Sequence, residues 1–241
     1  MSKEQGTLLL LPNVLGDVAH HEPFLPSSVD KAVAGIDGLI AESEGGGRRF
    51  LGRFPHEKKR HMIPLALLNK RSDEEQIDFL LEPMQKGETW GLVSDAGLPC
   101  VADPGYTLVR RARLLGIRVK AFIGPSSLMI ALMLSGLPGQ RFSSHGYLPK
   151  DVQERTNEVK KLEKVSKESQ STQIFIEAPH RNAQLLDTLL ETLAPTTWLC
   201  VAWELTLPGQ GVVVQQVAQW KKTPLPNIQK KPAVFLIYAG D

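Results

Sequence analysis

The sequence predicts an α/β protein with a parallel sheet in its first half and a mixed sheet in its second. Up to about Ile123, short apolar runs alternate with helical stretches across short links, the mark of a parallel sheet. After Leu137 the alternation loosens, and strand-like runs at 142–148, 171–178, 197–205, 212–217 and 233–238 make up a second, mixed sheet. The third observation is the stretch 91–106, GLVSDAGLPCVADPGY. It starts as a buried strand over 89–94, breaks at Asp95-Ala96-Gly97, turns at Leu98-Pro99 and Asp103-Pro104, and enters a basic amphipathic helix near Tyr106. Open α/β sheets build ligand sites this way, because strand C-termini deliver backbone amides and a carboxylate to a crevice. Asp95 is that carboxylate, the first candidate to touch a cationic or hydroxylated ligand.

The elements follow in order. The apolar run 7–11 suits a strand covered on both faces. Its turn, Pro12 to Asp17, has one glycine, too few for a dinucleotide fingerprint, and no Walker-A spacing occurs, which argues against NAD and ATP. His20 and His21 lie in a proline-flanked loop; either can serve as a base near an acceptor, but nothing in the sequence locks them, so exposed loop histidines are the plainer reading. Ser27 or Ser28 caps a helix reaching Ile36, and a second strand over 38–43 ends in Glu42. The segment 42–49, ESEGGGRR, either frees backbone amides for a phosphate or is a flexible connector. Between 48 and 60 stand six basic residues, Arg48, Arg49, Arg53, Lys58, Lys59 and Arg60, against the single acid Glu57. Such a cluster either binds nucleic-acid phosphates or is a solvated face. Few aromatics interleave it, so base stacking is not indicated.

Strand three is expected over 61–68, and Ser72 with Glu75 reads as a capping box before a helix that Pro83 kinks or ends. Helix 106–115 stops at Gly116, and strand 118–123 leads to Gly124-Pro125-Ser126-Ser127, a second strand-to-helix turn with two serines at a helix N-terminus. The helix over 151–169, with near-balanced Lys and Glu, is expected to be a solvated surface element. Glu177 and His180 stand at another strand end, where they can take a proton from a hydroxyl; equally, Glu177 can be the ion partner of Arg181.

With 241 residues, 42% apolar and 22% charged, the chain is an ordinary globular protein with a sizeable core. A net charge of +2 does not by itself announce nucleic-acid binding. Cys100 and Cys200 give neither a disulfide framework nor a metal cluster, which fits a reducing compartment. The four leucines before Pro12 are too short for a signal core, and the run 128–137 is too short for a membrane span. A cytoplasmic protein without metal or membrane is expected.

The motif at 94–105 resembles the signature of the tetrapyrrole-methylase-like S-adenosylmethionine (SAM) methyltransferases, and most closely the branch that 2′-O-methylates ribose in small-subunit ribosomal RNA, whose members write SDAG-x-P and then DPG. The resemblance continues in GIRVKAFIGPSS at 116–127, SGLPGQRFSSHGYLP at 135–149, IFIEAPHR at 174–181 and VAWELT at 201–206. It implies two α/β domains, 1–123 and 124–241, with SAM in the cleft between them, and a homodimer acting on ribosomal RNA rather than DNA. It assigns Pro12, Asp95, Ala96, Gly97, Val101, Ser126 and Ser127 to the cofactor from the first domain. From the second it assigns Glu177, Ala202, Pro232 and Ala233. Glu42, Glu177 and His180 are the candidate bases. The chain departs from the branch after Ala41-Glu42, where Ala-Glu-Asp-Thr-Arg is usual, and after Thr206, where Lys and a further Glu are usual. Two rivals stand beside this reading: a methyltransferase of the same fold for a small molecule or tetrapyrrole, with a deep closed pocket, and a SAM-binding protein without transferase activity, which would bind SAM without turnover.

Overall fold

The computed structural model describes residues 6–56, 60–68 and 72–240, and the chain divides into two compact units, Met1–Ser126 and Ser127–Asp241. The first unit carries strands β1 (Thr7–Leu10), β2 (Gly38–Ala41), β3 (Leu65–Leu67), β4 (Thr89–Val93) and β5 (Arg118–Ala121), in the spatial order β3-β2-β4-β1-β5. All four pairings are parallel. Because side chains alternate across a strand, neighbours in the chain serve different layers. Leu9, Leu39 and Val93 pack with Val29 and Val33 of α1 (Ser27–Ala34) and with Phe50 and Leu51 of α2 (Glu44–Gly52). Leu8, Ile40 and Leu92 pack the other way, with Ile77 and Leu81 of α3 (Glu74–Gln85) and Leu108 and Ala112 of α4 (Tyr106–Leu114). Burial on both faces is why β1 and β2 read as apolar runs, whereas the edge strand β5, Arg118–Ala121, is largely exposed.

The second unit, by its own strands, is a mixed sheet in the order β6-β7-β10-β8-β9. Its members are β6 (Phe142–Tyr147), β7 (Thr172–Glu177), β8 (Trp198–Trp203), β9 (Gly211–Gln216) and β10 (Ala233–Tyr238). Only β6 and β7 run parallel; β10 is antiparallel to both its neighbours, and β9 to β8. Every residue of the central β10 is buried. One face, with Phe175, Val201, Phe235 and Ile237, packs on α6 (Val152–Ser169), α7 (Asn182–Thr192) and α8 (Val217–Trp220). The alternate residues look toward α5 (Ser127–Ser135), which lies across β8, β10 and β9. Among the described residues, no helix is long and apolar enough to cross a membrane.

Several sequence expectations change. The triple glycine is the first turn of α2: Ser43 caps it, its hydroxyl accepting from Gly46 N at 3.0 Å. Glycine is required there because a Cβ on Gly46 would collide with Asp95, and one on Gly47 would press on Leu65 and Ala41. The cap of α3 is Asp73, not Ser72; its carboxylate accepts from Gln76 N at 2.9 Å. Pro26, not Ser27 or Ser28, occupies the cap position of α1, with no side-chain cap bond. The expected third strand is a 3-10 turn, Arg60–Met62, and then β3. Helix α6 is not a wholly solvated element. It buries Arg155, Val159, Leu162 and Ser166, and the Arg155 guanidinium donates to Thr188 Oγ1 (3.3 and 3.2 Å) and Lys150 O (3.2 Å). A charge census missed this, because a lone basic residue on the inner face looks like its solvated neighbours.

Candidate functional site

Parallel strands end on the same edge of their sheet, so the first unit brings its strand-end loops together. Pro12 and Asn13 follow β1, Glu42 and Ser43 follow β2, Ser94 to Gly97 follow β4, and the Gly124-Pro125 turn follows β5. Asn13 stitches this edge. It is buried; its side-chain amide donates to Ser94 O (3.1 Å) and Asp95 O (3.0 Å), and its backbone N–H donates to Gly97 O (2.8 Å). Asn13 Oδ1 accepts from Val14 N at 2.9 Å, so the side chain is held at both ends. The corner after Ser94 and the corner after Ile123 touch: a Cβ on Gly97 would lie 3.4 Å from Pro125 O, and one on Gly124 would run into the Pro12 ring. Gly97 has φ +72°, which glycine adopts without strain.

Asp95 itself is exposed, and its carboxylate accepts from Ser43 Oγ (2.9 and 3.2 Å). That hydroxyl also takes the Gly46 N–H, so one serine both starts α2 and aims the carboxylate. Past the turn, Cys100 and Ala102 sit in the left-handed region (φ +69° and +63°), on either side of the exposed Val101. Burial pushes the Cys100 thiol up to about 11, with Asp103 nearby adding to it. Gly105, at φ +131°, then opens α4. Ser126 and Ser127 are half-buried, and Ser127 is the first residue of α5.

In the second unit, register places Glu177, Ala233 and Trp203 side by side, with Ala202 opposite Val234 one step in. Glu177 is buried. Its Oε1 accepts from Ala178 N (2.6 Å), from Arg181 Nε (3.0 Å) and from a second guanidinium nitrogen of Arg181, while its Oε2 is buried with no hydrogen-bond partner. The bond to Glu177 raises the pKa of Arg181. Glu177 is therefore the ion partner of Arg181, and His180 stays exposed. Pro232 O accepts from Glu204 N (2.9 Å), and Lys231 Nζ pairs with Glu204 Oε2 (2.7 Å). The departure after Thr206 thus falls in a loop tied to the strand end.

The basic cluster separates. Arg48 donates to Ile63 O (3.2 Å) and Arg53 to Val18 O (3.0 Å); Arg48 and Arg49 are both exposed. Lys58 and Lys59 lie outside the described residues, and so does the side chain of Arg60. His21 is not an exposed loop histidine: it is buried, its Nε2 lies 2.7 Å from Asp30 Oδ1, and its ring packs on Phe54. His20 is exposed. Sequence reasoning missed Asn13 and Ser43. The available signals were an Asn directly after a strand-ending proline and a Ser preceding an acid and a small-residue run, both marks of turns and caps.

The description "Tetrapyrrole (Corrin/Porphyrin) Methylases" matches residues 29–220. A ribosomal RNA small subunit methyltransferase I from Escherichia coli O157:H7 is 30% identical over 98% of this chain and 78% of its own. One from Thermotoga maritima is 31% identical over 82% of this chain and 86% of its own. The crystal structure of diphthine synthase, 16% identical, covers 97% of this chain and 90% of its own with a TM-score of 0.65, a likeness of fold. With a parallel and a mixed sheet, a glycine-hinged corner after β4 and this match across most of its length, the chain belongs to the tetrapyrrole (corrin/porphyrin) methylase family and is, with it, a methyltransferase.

Proposed function

We propose that this chain methylates the 2′-hydroxyl of a ribose in small-subunit ribosomal RNA, using SAM, as a homodimer in the cytoplasm. The relatives named ribosomal RNA small subunit methyltransferase I support the substrate class. The observation that carries the site is the corner in which Ser43 aims an exposed Asp95 beside Ala96 and Gly97. These residues suit SAM: in the first unit the Asp95 carboxylate is solvent-facing and oriented by Ser43, and in the second unit Glu177 Oε2 is a buried acceptor without a donor. When bound, SAM supplies an electrophilic methyl group on a cationic sulfonium.

The chain's own residues supply position and charge. Asp95, Ala96, Gly97 and Val101, together with Pro12, Ser126 and Ser127, are the proposed cofactor contacts of the first unit. Glu177, Ala202, Pro232 and Ala233 are those of the second. A fixed carboxylate attracts a cation more strongly where water is partly excluded. Holding donor and acceptor in line supplies most of the acceleration in such a displacement, and removal of the hydroxyl proton is the second contribution. Glu42 at the end of β2 and His180 at the start of the turn before α7 are the proposed bases. Glu177, already committed to Arg181, better serves as an acceptor for cofactor donors. Among the described residues, Arg48 and Arg53 each give one guanidinium nitrogen to a backbone carbonyl and Arg49 gives none, and these three are the arginines proposed for RNA, with Lys58, Lys59 and Arg60 following in the same stretch of sequence.

A mass-spectrometric map of ribose methylation in small-subunit RNA tests this, comparing a strain with and without the gene. Loss of one 2′-O-methyl, restored by the wild-type gene, is expected; an unchanged map at every ribose overturns the reading. Sedimentation equilibrium of the purified chain checks the dimer.

A further inference from the structure

In the first unit, a polar cavity of about 350 Å³ lies between the loop after β1 and the C-terminal half of α2. Its charged and titratable walls are Asp17, His20, His21 and Glu22 from the loop and Arg49 and Arg53 from the helix end. Arg49 and Arg53 are four residues apart and so share one helical face. The cavity is built rather than incidental. Arg53 Nη1 ties the helix end to Val18 O (3.0 Å), and His21 is clamped between Asp30 and the Phe54 ring. One donor is left over: Arg53 Nε is buried without a hydrogen-bond partner. A buried guanidinium N–H without an acceptor is costly, and because this nitrogen is shielded from solvent an anionic oxygen in the cavity reaches it only if the guanidinium turns toward the opening. The volume also reaches the lower end of the range for small-molecule pockets, about 300 Å³.

We propose that this cavity is a phosphodiester subsite for the RNA strand, holding a backbone phosphate next to the acceptor nucleotide. The inference rests on the RNA reading above. Gly46 packs against Asp95, and Arg49 lies three residues further along α2, with Arg53 four beyond it. At the rise of a helix this puts the two guanidinium-bearing positions roughly 5 to 10 Å from the Asp95 corner along the axis. A phosphate held there fixes the register of the strand without reading a base. Glu22 and Asp17 oppose an anion, but both are exposed, Glu22 with 63% of its side chain in solvent, so their repulsion is screened. Glu22 is ionised, its carboxyl lowered first by its own backbone amide and also by His21 and His20.

The test measures binding of the full chain to small ribosomal subunits and to a labelled single-stranded RNA as salt is raised. Arg49→Ala is the primary variant, because Arg49 makes no hydrogen bond that supports the fold; Arg53→Lys keeps a charge while removing the Nε donor. The salt slope is expected to fall by about 1 and the affinity by about three- to tenfold in Arg49→Ala. The KM for RNA rises with it, and the KM for SAM does not. Glu22→Gln is expected to tighten RNA binding about twofold, since it removes a repulsive charge. Unchanged slope and affinity in Arg49→Ala, beside an active wild type, overturn the subsite alone. A parallel titration with inorganic phosphate separates the sources: saturable binding lost in Arg49→Ala, with RNA binding unaffected, means a free-phosphate site and overturns the RNA assignment. A wild-type chain that neither binds nor methylates subunits overturns the enzyme reading itself, and that arm is run before any variant.

Discussion

Asp95 is aimed by Ser43, fifty-two positions upstream, and Ser43 in turn needs Gly46 to let α2 begin so close to the carboxylate. Two substitutions separate these roles. Asp95→Ala removes an exposed carboxylate, so the melting temperature holds while SAM binding measured by calorimetry weakens by roughly 10- to 100-fold, the worth of a charged contact. Gly46→Ala forces a Cβ into Asp95 and is expected to lose stability, about 1–3 kcal/mol, together with SAM binding. Wild-type SAM affinity in both variants would remove Asp95 from the site. At Ala102 the backbone is left-handed at φ +63°, a conformation that costs an L-residue about 1–2 kcal/mol. Glycine adds about 0.4–1 kcal/mol of unfolded-chain entropy, less than the strain it relieves, so Ala102→Gly is expected to raise the urea midpoint slightly. Asp95 was legible as a candidate in the sequence because it is the carboxylate at the end of the strand that opens the 91–106 stretch. Asn13 was not, because its function depends on carbonyls more than eighty residues away.

At the scale of elements, the strands were legible wherever burial on both faces leaves an apolar run, and β10 is the cleanest instance. The start of α2 was not legible. Three glycines have poor helix propensity, and only their packing against Asp95, Leu65 and Ala41 explains why a helix forms there. Helix α6 failed in the opposite sense, with Arg155 buried on a face that composition marks as wet. Thr188→Val deprives that guanidinium of the acceptor of two of its bonds and is expected to cost about 1–3 kcal/mol in chemical denaturation. Adding Arg155→Met to it should recover most of the loss, since removing both partners leaves no orphaned donor. Strand β8 carries a pH signature. Burial pushes the Cys200 thiol from 9.0 up to about 12. A raised thiol pKa means that stability is complete below pH 9 and declines as pH rises toward 12. Denaturation curves should therefore weaken more steeply over that window in the wild type than in Cys200→Ala. Equal slopes would remove burial of the thiol as a source of alkaline instability.

At the scale of the molecule, the fold was legible because two kinds of pattern agreed: short alternating elements in one half and long strands with antiparallel neighbours in the other. Strand order was not legible, since register is set by contacts between residues far apart in the chain. Strand β1, flanked by β4 and β5, puts the corners after Ser94 and Ile123 side by side, and on that adjacency the proposed methyl-donor site depends. The two departures from the related branch fall in a helix start and a strand-end loop, both of them ordered. The most direct measurement incubates tritiated SAM and the wild-type chain with small ribosomal subunits, naked RNA and tetrapyrroles in parallel. The account predicts label on a ribose of subunit RNA, strongly reduced in Asp95→Ala at sub-saturating SAM; label on a tetrapyrrole, or on no acceptor while SAM binds tightly, would contradict it.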